Sequence, residues 1–381
     1  MFHSKFLQFT VASCLLFATA GAASCPKTPD LSSFNSSVLP DLFTFLDGKT
    51  KVRTLEDWAC RRAEMSAVLQ SDELGVLPGR PDSMSASFSG NTLTINVTHA
   101  GNSITFAPTI TFPANSTGRV PAVIGMGGVS VPLPEELAVI EFNNAEFAQQ
   151  DSSPASRGVG LFYDLFGTDA SAGAMMAWAW GALEVTPAAR INLERVGVSG
   201  CSRNGKGALV AGAFEPRIAL TIPQESGSGG TDSWRISDFI LSTGILTQTA
   251  SEIVQENVWL SSNFDQFANS SVDRLPFDHH SLGALVAPRA MFVIDNLGYD
   301  WLGPFSSWGA MIAARTAWTA LGASENMGIS QAANHTHCVF PDTQQPELTA
   351  RQDTHVVETA GNYTFSVPNA QWAPWNVPRL I

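Results

Sequence analysis

Val198-Ser199-Gly200-Cys201-Ser202-Arg203-Asn204-Gly205-Lys206-Gly207 is the stretch that decides how this chain folds. Arg195 to Ser199 reads as a buried strand and Gly205 to Phe214 as a helix, with one serine among small residues between them. A strand running straight into such a turn and then a helix lifts the serine hydroxyl clear of a sheet, which is the context of a nucleophile elbow. The usual pattern is G-x-S-x-G; here Asn204 holds the last position and glycine arrives one residue later, at Gly205. As a bare string the motif is common. The flanking strand and helix give it weight.

The same alternation extends outward. Pro121 to Ile124 is a strand entering the glycine turn Gly125 to Gly128, Gly173 to Leu183 is an apolar helix, and Ile218 to Pro223 is the next strand. Strands alternating with helices at this spacing predict a mostly parallel sheet covered on both faces. The fold expected is an α/β-hydrolase, a three-layer sandwich. Upstream, Leu55 to Leu69 is helical, and Ser85 to Phe112 alternates apolar and polar residues with turns at Gly90-Asn91 and Gly101-Asn102, a hairpin pattern. There is no internal repeat and no Pro/Ser-rich linker. Residues 21–381 are therefore expected to form a single catalytic domain without a carbohydrate-binding module.

Charge placement supports the elbow independently. Arg203 and Lys206 occupy the first turn of the following helix, where the macrodipole disfavours cations by about 0.3–1 kcal/mol each. Two cations there point to an oxyanion or a hydroxyl-rich ligand, unless both simply face solvent. A serine nucleophile needs a base and the base an orienting acid. Of seven histidines, His3 lies in the N-terminal leader, His99 follows the hairpin strand, and His355 sits in a polar tail. His279 and His280 read as part of a packed loop. His335 and His337 come late in the chain, where this fold places its base. The acid is either Glu225, at the end of the strand after the serine, or Asp295, after Met291 to Ile294; the pattern leaves both open.

Lys5, the apolar run Phe6 to Phe17 and the small residues Ala18-Thr19-Ala20 read as a secretory signal over residues 1–20, the alternative being a buried N-terminal helix. The chain is then expected outside the cell. Removing the leader with Cys14 leaves Cys25, Cys60, Cys201 and Cys338, an even set for an oxidising compartment. A Cys201–Cys338 bridge would join the neighbours of Ser202 and His337, and Cys25–Cys60 would tie down the N-terminal segment. A metal site at His335, His337 and Cys338 lacks a fourth ligand cluster, so no metal and no cofactor are expected. Asn35, Asn96, Asn115, Asn269, Asn334 and Asn362 open glycosylation sequons. A net charge of −13 with only 14% charged residues argues against nucleic acid or an anionic membrane as partner. A monomer is expected.

These residues resemble the glucuronoyl esterases, enzymes that cleave esters between glucuronate on xylan and lignin alcohols. The resemblance is carried by Gly200 to Gly207, Pro223-Gln224-Glu225-Ser226-Gly227, Gln248, Glu256-Asn257-Val258-Trp259, Asp300-Trp301-Leu302-Gly303-Pro304 and His335-Thr336-His337-Cys338. It implies Ser202 as nucleophile, His337 as base and Glu225 as acid. It further implies Arg203 as oxyanion stabiliser, and Lys206, Gln248, Glu256 and Trp301 as sugar-binding residues. Glucuronoxylan and lignin–carbohydrate esters would be the substrate. The eight-residue spacing of Gln248 and Glu256 suggests that one helix turns both to one side. A third disulfide common in the family falls here on Ser233 and Ala310, so it is missing. The rival readings are an acetyl or feruloyl esterase and a non-catalytic wall-binding protein.

Overall fold

The computed structural model describes residues 25–151, 154–184, 190–344, 359–360, 363–364 and 371–380. The expected leader with His3 and Cys14, as well as His355 and the sequon at Asn362, lie outside them.

Ten strands form one sheet: β1 (Ser83–Ser89), β2 (Thr92–His99), β3 (Asn102–Phe106), β4 (Thr109–Thr111), β5 (Val120–Met126), β6 (Ala138–Phe142), β7 (Ile191–Cys201), β8 (Ile218–Gln224), β9 (Ala290–Asn296) and β10 (Met327–Ala332). Their order is β1-β2-β4-β6-β5-β7-β8-β9-β10, with β3 paired to β2. Pairing is antiparallel from β1 to β6 and parallel from β6 to β10. The predicted hairpin is thus the antiparallel wing of a mixed, mostly parallel sheet. Its edge strand β1 is exposed along its whole length.

The helices are α1 (Leu55–Leu69), α2 (Asn144–Phe147), α3 (Leu161–Phe166), α4 (Ala174–Glu184), α5 (Arg203–Phe214), α6 (Trp234–Ser242), α7 (Ala250–Glu256), α8 (Asp265–Ala268), α9 (His279–Ala284) and α10 (Pro304–Ala320). α1 begins at a capping box: Thr54 accepts from Asp57 N–H while Asp57 accepts from the Thr54 backbone. None of the described helices is long and apolar enough to cross a membrane. α5 lies so close to β8 that a Cβ on Gly212 would meet Thr221 Oγ1 at 2.1 Å. Alternation along β8 and β9 then turns Leu220, Ile222, Phe292 and Ile294 to the opposite face. There they pack with Val129, Val131, Leu133 and Phe340 in a smaller, separate cluster.

His279 and His280 correct the sequence reading. They open helix α9, capped by the Asp278 carboxylate, and both are fully buried. Ser233 and Ala310, where the family's third bridge would be, are both buried. Hydrogen bonds hold α6 to α10 there: Ser306 Oγ donates to Ser233 O and Ser237 Oγ to Ser306 Oγ, both at 2.8 Å.

Candidate active site

Parallel strands put their C-terminal ends along one edge, and ligands of such sheets bind in the crevice outside that edge. Ser202 follows β7, Glu225 follows β8, Tyr299 and Trp301 follow β9, and His335 to Cys338 follow β10. Residues spread over 137 positions of sequence are brought together by the sheet alone.

Ser202 sits at φ 58° and ψ −127°, between the last residue of β7 and the first of α5. Its N–H donates to Gln224 O at 2.9 Å, and its own carbonyl accepts from Lys206 N–H at 3.0 Å. The departure from G-x-S-x-G has a steric reason. A Cβ on Gly205 would lie 2.6 Å from Gln224 O, so β8 forces glycine there. At position 204 the room is made from the other side. A Cβ on Gly127 would lie 2.2 Å from Asn204 Nδ2, so glycine on the facing turn makes space for the Asn204 side chain. Asn144 Nδ2 then donates to Asn204 Oδ1 at 3.0 Å.

The two candidate carboxylates differ in what they touch. His337 Nδ1 lies 2.7 Å from Glu225 Oε2, which also accepts from Cys338 N–H at 3.1 Å and from Asn296 Nδ2 at 3.4 Å. Gln224 Nε2 donates to Glu225 Oε1 at 3.1 Å. Burial pushes the Glu225 pKa up, but the bonds from His337, Cys338 N–H and Gln224 together hold it below the usual carboxylate range. Asp295, the alternative acid, is buried with Ser307 Oγ at 2.6 Å and Gln331 Nε2 at 3.2 Å as its partners. With Nδ1 at Glu225, Nε2 is the nitrogen His337 has left for another partner. Among the described residues Ser202 Oγ has no hydrogen-bond partner, a bond that in hydrolases often tightens only around substrate. Asn296 and Gln224 were not singled out from sequence; strand-end amides carry no pattern that marks them as supports for a carboxylate.

The bridges Cys25–Cys60 and Cys201–Cys338 are both present, with Cα separations of 5.4 and 5.7 Å. Cys201, Cys338 and His337 lie close enough together to suggest a metal cluster. Both sulfurs are spent in the disulfide, so neither can serve as a thiolate ligand. Ser202, Glu225 and Cys338 all have positive φ, at 58°, 45° and 64°. Each such non-glycine residue costs about 1–3 kcal/mol, so surrounding contacts hold the backbone in strain at three points of one site.

Arg203 is exposed at the first position of α5. Its N–H has no acceptor among the described residues, as expected for the first turn of a helix. The glycine turn after β5 spends its own donors: Gly127 N–H goes to Phe142 O and Gly128 N–H to Gly125 O. Arg203 therefore supplies the donors nearest in sequence to Ser202, from both backbone and guanidinium. Lys206 reaches inward and is only 4% exposed. Its ammonium donates to the carbonyls of Ser226 and Ser228, tethering the buried loop that follows Glu225, and one of its three donors remains. Burial lowers its pKa to about 8, against the opposing pull of Asp232 and Glu256.

Gln248 Nε2 donates to Glu256 Oε2 at 2.8 Å, so these two do meet. The reason differs from the one read off their spacing: α7 starts at Ala250, and Gln248 stands in the loop before it. Gln248 N–H donates to Trp301 O at 3.2 Å, joining that loop to the half-exposed Trp301. The Trp301 and Tyr299 rings lie 5.3 and 6.1 Å from the His337 ring. Sequons at Asn35, Asn96, Asn115, Asn269 and Asn334 are all exposed.

A family model described as glucuronyl esterase, fungi, matches residues 95–322. The 4-O-methyl-glucuronoyl methylesterase of Hypocrea jecorina is 52% identical over 373 residues, covering 95% of this chain and 80% of that protein. The solved glucuronoyl esterase catalytic domain from Hypocrea jecorina superposes with a TM-score of 0.86 at 51% identity, over 93% of this chain and all of that one. A mutant glucuronoyl esterase from Sporotrichum thermophile, solved in complex with methyl 4-O-methyl-β-D-glucopyranuronate, gives 0.83 at 45% identity, covering 91% and 97% of the two chains. With a relative more than half identical over 95% of its residues, this chain belongs to the glucuronoyl esterase family and is a carboxylic ester hydrolase.

Proposed function

We propose that the enzyme hydrolyses esters joining (4-O-methyl-)glucuronic acid of glucuronoxylan to lignin alcohols, through a Ser202–His337–Glu225 triad. Ser202 Oγ attacks the uronate carbonyl as His337 Nε2 takes its proton. The oxyanion forms against Arg203, and the alcohol leaves with the proton from His337. Water, deprotonated by the same imidazole, then releases the acid from the acyl-enzyme. The observation that carries this reading is the 2.7 Å contact of His337 with Glu225 on the strand edge that also bears Ser202.

The substrate class is supported by the residues beside the triad. An esterified uronate is neutral, so Lys206 does not meet a carboxylate in it; its one remaining donor, with Gln248, Glu256 and Trp301, suits ring hydroxyls. The structure from Sporotrichum thermophile holds a methyl ester of 4-O-methyl-glucuronate, which fits that choice. Export is part of the proposal, supported by the leader-like first twenty residues and by two disulfides.

The test is a substrate panel with the wild type and Ser202→Ala. Benzyl and methyl glucuronate should be cleaved well and acetyl or feruloyl esters poorly, because a site built for particular hydroxyls rejects ligands that leave its polar groups unpaired. Ser202→Ala should fall by several orders of magnitude with the fold intact. Preference for acetyl or feruloyl esters would refute the substrate. Near-normal turnover by the variant would refute the triad.

A further inference from the structure

Trp259 has no part in the mechanism above, yet both cations of the site sit on its ring. It lies three residues beyond Glu256 and is 3% exposed. Its ring centroid is 5.8 Å from Arg203 Cζ and 5.2 Å from Lys206 Nζ. No carboxylate lies within ion-pair distance of either cation among the described residues. Asp232 and Glu256 act on Lys206 only from further off.

The indole is held at its ring nitrogen, and the Trp259 backbone is held separately. Its Nε1–H donates to Gln150 Oε1 at 2.9 Å, and Asn257 Nδ2 donates to Gln150 O at 2.6 Å. Trp259 O accepts from Met175 N–H at 3.1 Å, and a Cβ on Gly173 would lie 2.5 Å from that oxygen. A merely space-filling indole would be expected among apolar groups. This one faces two like charges, three residues apart on a helix start that disfavours both.

A π face attracts a cation without consuming its N–H donors. A carboxylate in the same place would pair with the Arg203 fork and occupy the hydrogen bonds needed by an oxyanion. We propose that Trp259 is a positioning residue: its ring holds Arg203 and Lys206 in place while leaving the Arg203 donors free for the oxyanion and the one remaining Lys206 donor free for the sugar. This rests on the roles read for those two residues above.

The experiment is site-specific replacement of Trp259 by mono-, di- and trifluorotryptophan in the full chain, assayed on methyl glucuronate beside the wild type. Fluorination drains the ring face while nearly preserving its shape and its N–H. Stepwise loss is expected, kcat falling through Arg203 and KM rising through Lys206, to about tenfold overall, between the scales of an exposed and a desolvated cation–π contact. The alkaline limb of kcat/KM should move to lower pH, since weaker support for charged Lys206, with Asp232, Glu256 and Arg203 unchanged around it, lowers a pKa already near 8. In a Lys206→Met background the KM trend should vanish. A flat series in kcat, KM and pH profile would overturn the proposal and leave Trp259 as packing. A wild type inert on methyl glucuronate would instead overturn the substrate reading, and this inference with it.

Discussion

β8 and β9 lie side by side, and at the same level each leads to a buried carboxylate, Glu225 just past the end of one and Asp295 within the other. Their chemistry diverges. Glu225 steps out of its strand at φ 45° and meets an imidazole, a backbone N–H and two side-chain amides. Asp295 stays within its strand and meets one hydroxyl and one amide. Burial penalises both charges; only Glu225 gathers enough donors to outweigh it, and Asp295 is pushed up to about 6. Depth in the protein does not make an orienting acid. The direction in which the backbone leaves the strand decides which donors the carboxylate finds.

The sharpest way to break this contrast is to neutralise each carboxylate in turn. Glu225→Gln should lower kcat by about 10²–10⁴-fold, as loss of an orienting acid does in other triads, while Asp295→Asn should cost less than about tenfold. His337→Ala should cost more than Glu225→Ala, because the base takes part in both half-reactions. Equal losses at Glu225 and Asp295 would mean that the acid has been misassigned.

Stability against pH should separate the pair next, with opposite signs. Asp295 has a folded pKa raised from 3.8 to about 6, so its contribution is full below 3.8 and lost as pH rises through 6. Above that, the ionised, buried Asp295 costs up to about 3 kcal/mol, and Asp295→Asn should melt higher than wild type at pH 7 but not at pH 4. Glu225 is lowered from 4.5, so its contribution is present above that value and lost as pH falls. Glu225→Gln should therefore melt lower than wild type at pH 7, with the gap closing toward pH 3. Thermal scans at pH 3, 4 and 7 decide both; parallel curves for the two variants would erase the distinction.

The smallest effect concerns Asn296, whose amide reaches Glu225 at a long 3.4 Å and bonds His335 O at 3.1 Å. Asn296→Ala should reduce kcat by less than about fivefold, the size of one weak hydrogen bond. A loss matching Glu225→Gln would shift the orienting role from the carboxylate to its neighbour.

The strands, the elbow and the pairing of Cys201 with Cys338 were legible in the residues, because periodicity and small-residue turns are local signals. The choice between Glu225 and Asp295 was not legible from pattern, since either can end a strand. Glutamate, serine and cysteine carry no intrinsic preference for positive φ, so the strain at Glu225, Ser202 and Cys338 left no mark in the sequence. Gln248 and Glu256 were expected on one helix, but Thr249 takes the N-cap position and leaves Gln248 outside it. Trp259 entered the sequence reading only within the motif Glu256-Asn257-Val258-Trp259, and only the folded chain shows which cations face its indole.

The Cys201–Cys338 bond makes a macrocycle of the chain between those residues, a covalent ring closed over a separation of 137 residues. Ser202, Arg203, Lys206, Glu225, Gln248, Glu256, Trp259, Trp301 and His337 all belong to it. A protease that cuts any one peptide bond between Arg203 and Thr336 opens the ring into a line but releases nothing, since both new ends remain joined through sulfur. Nicked enzyme would run as a full-length species until reduced, and the parts of the candidate site would stay at high effective concentration for one another. Loss of the working assembly then takes two cuts, or one cut and a reductant.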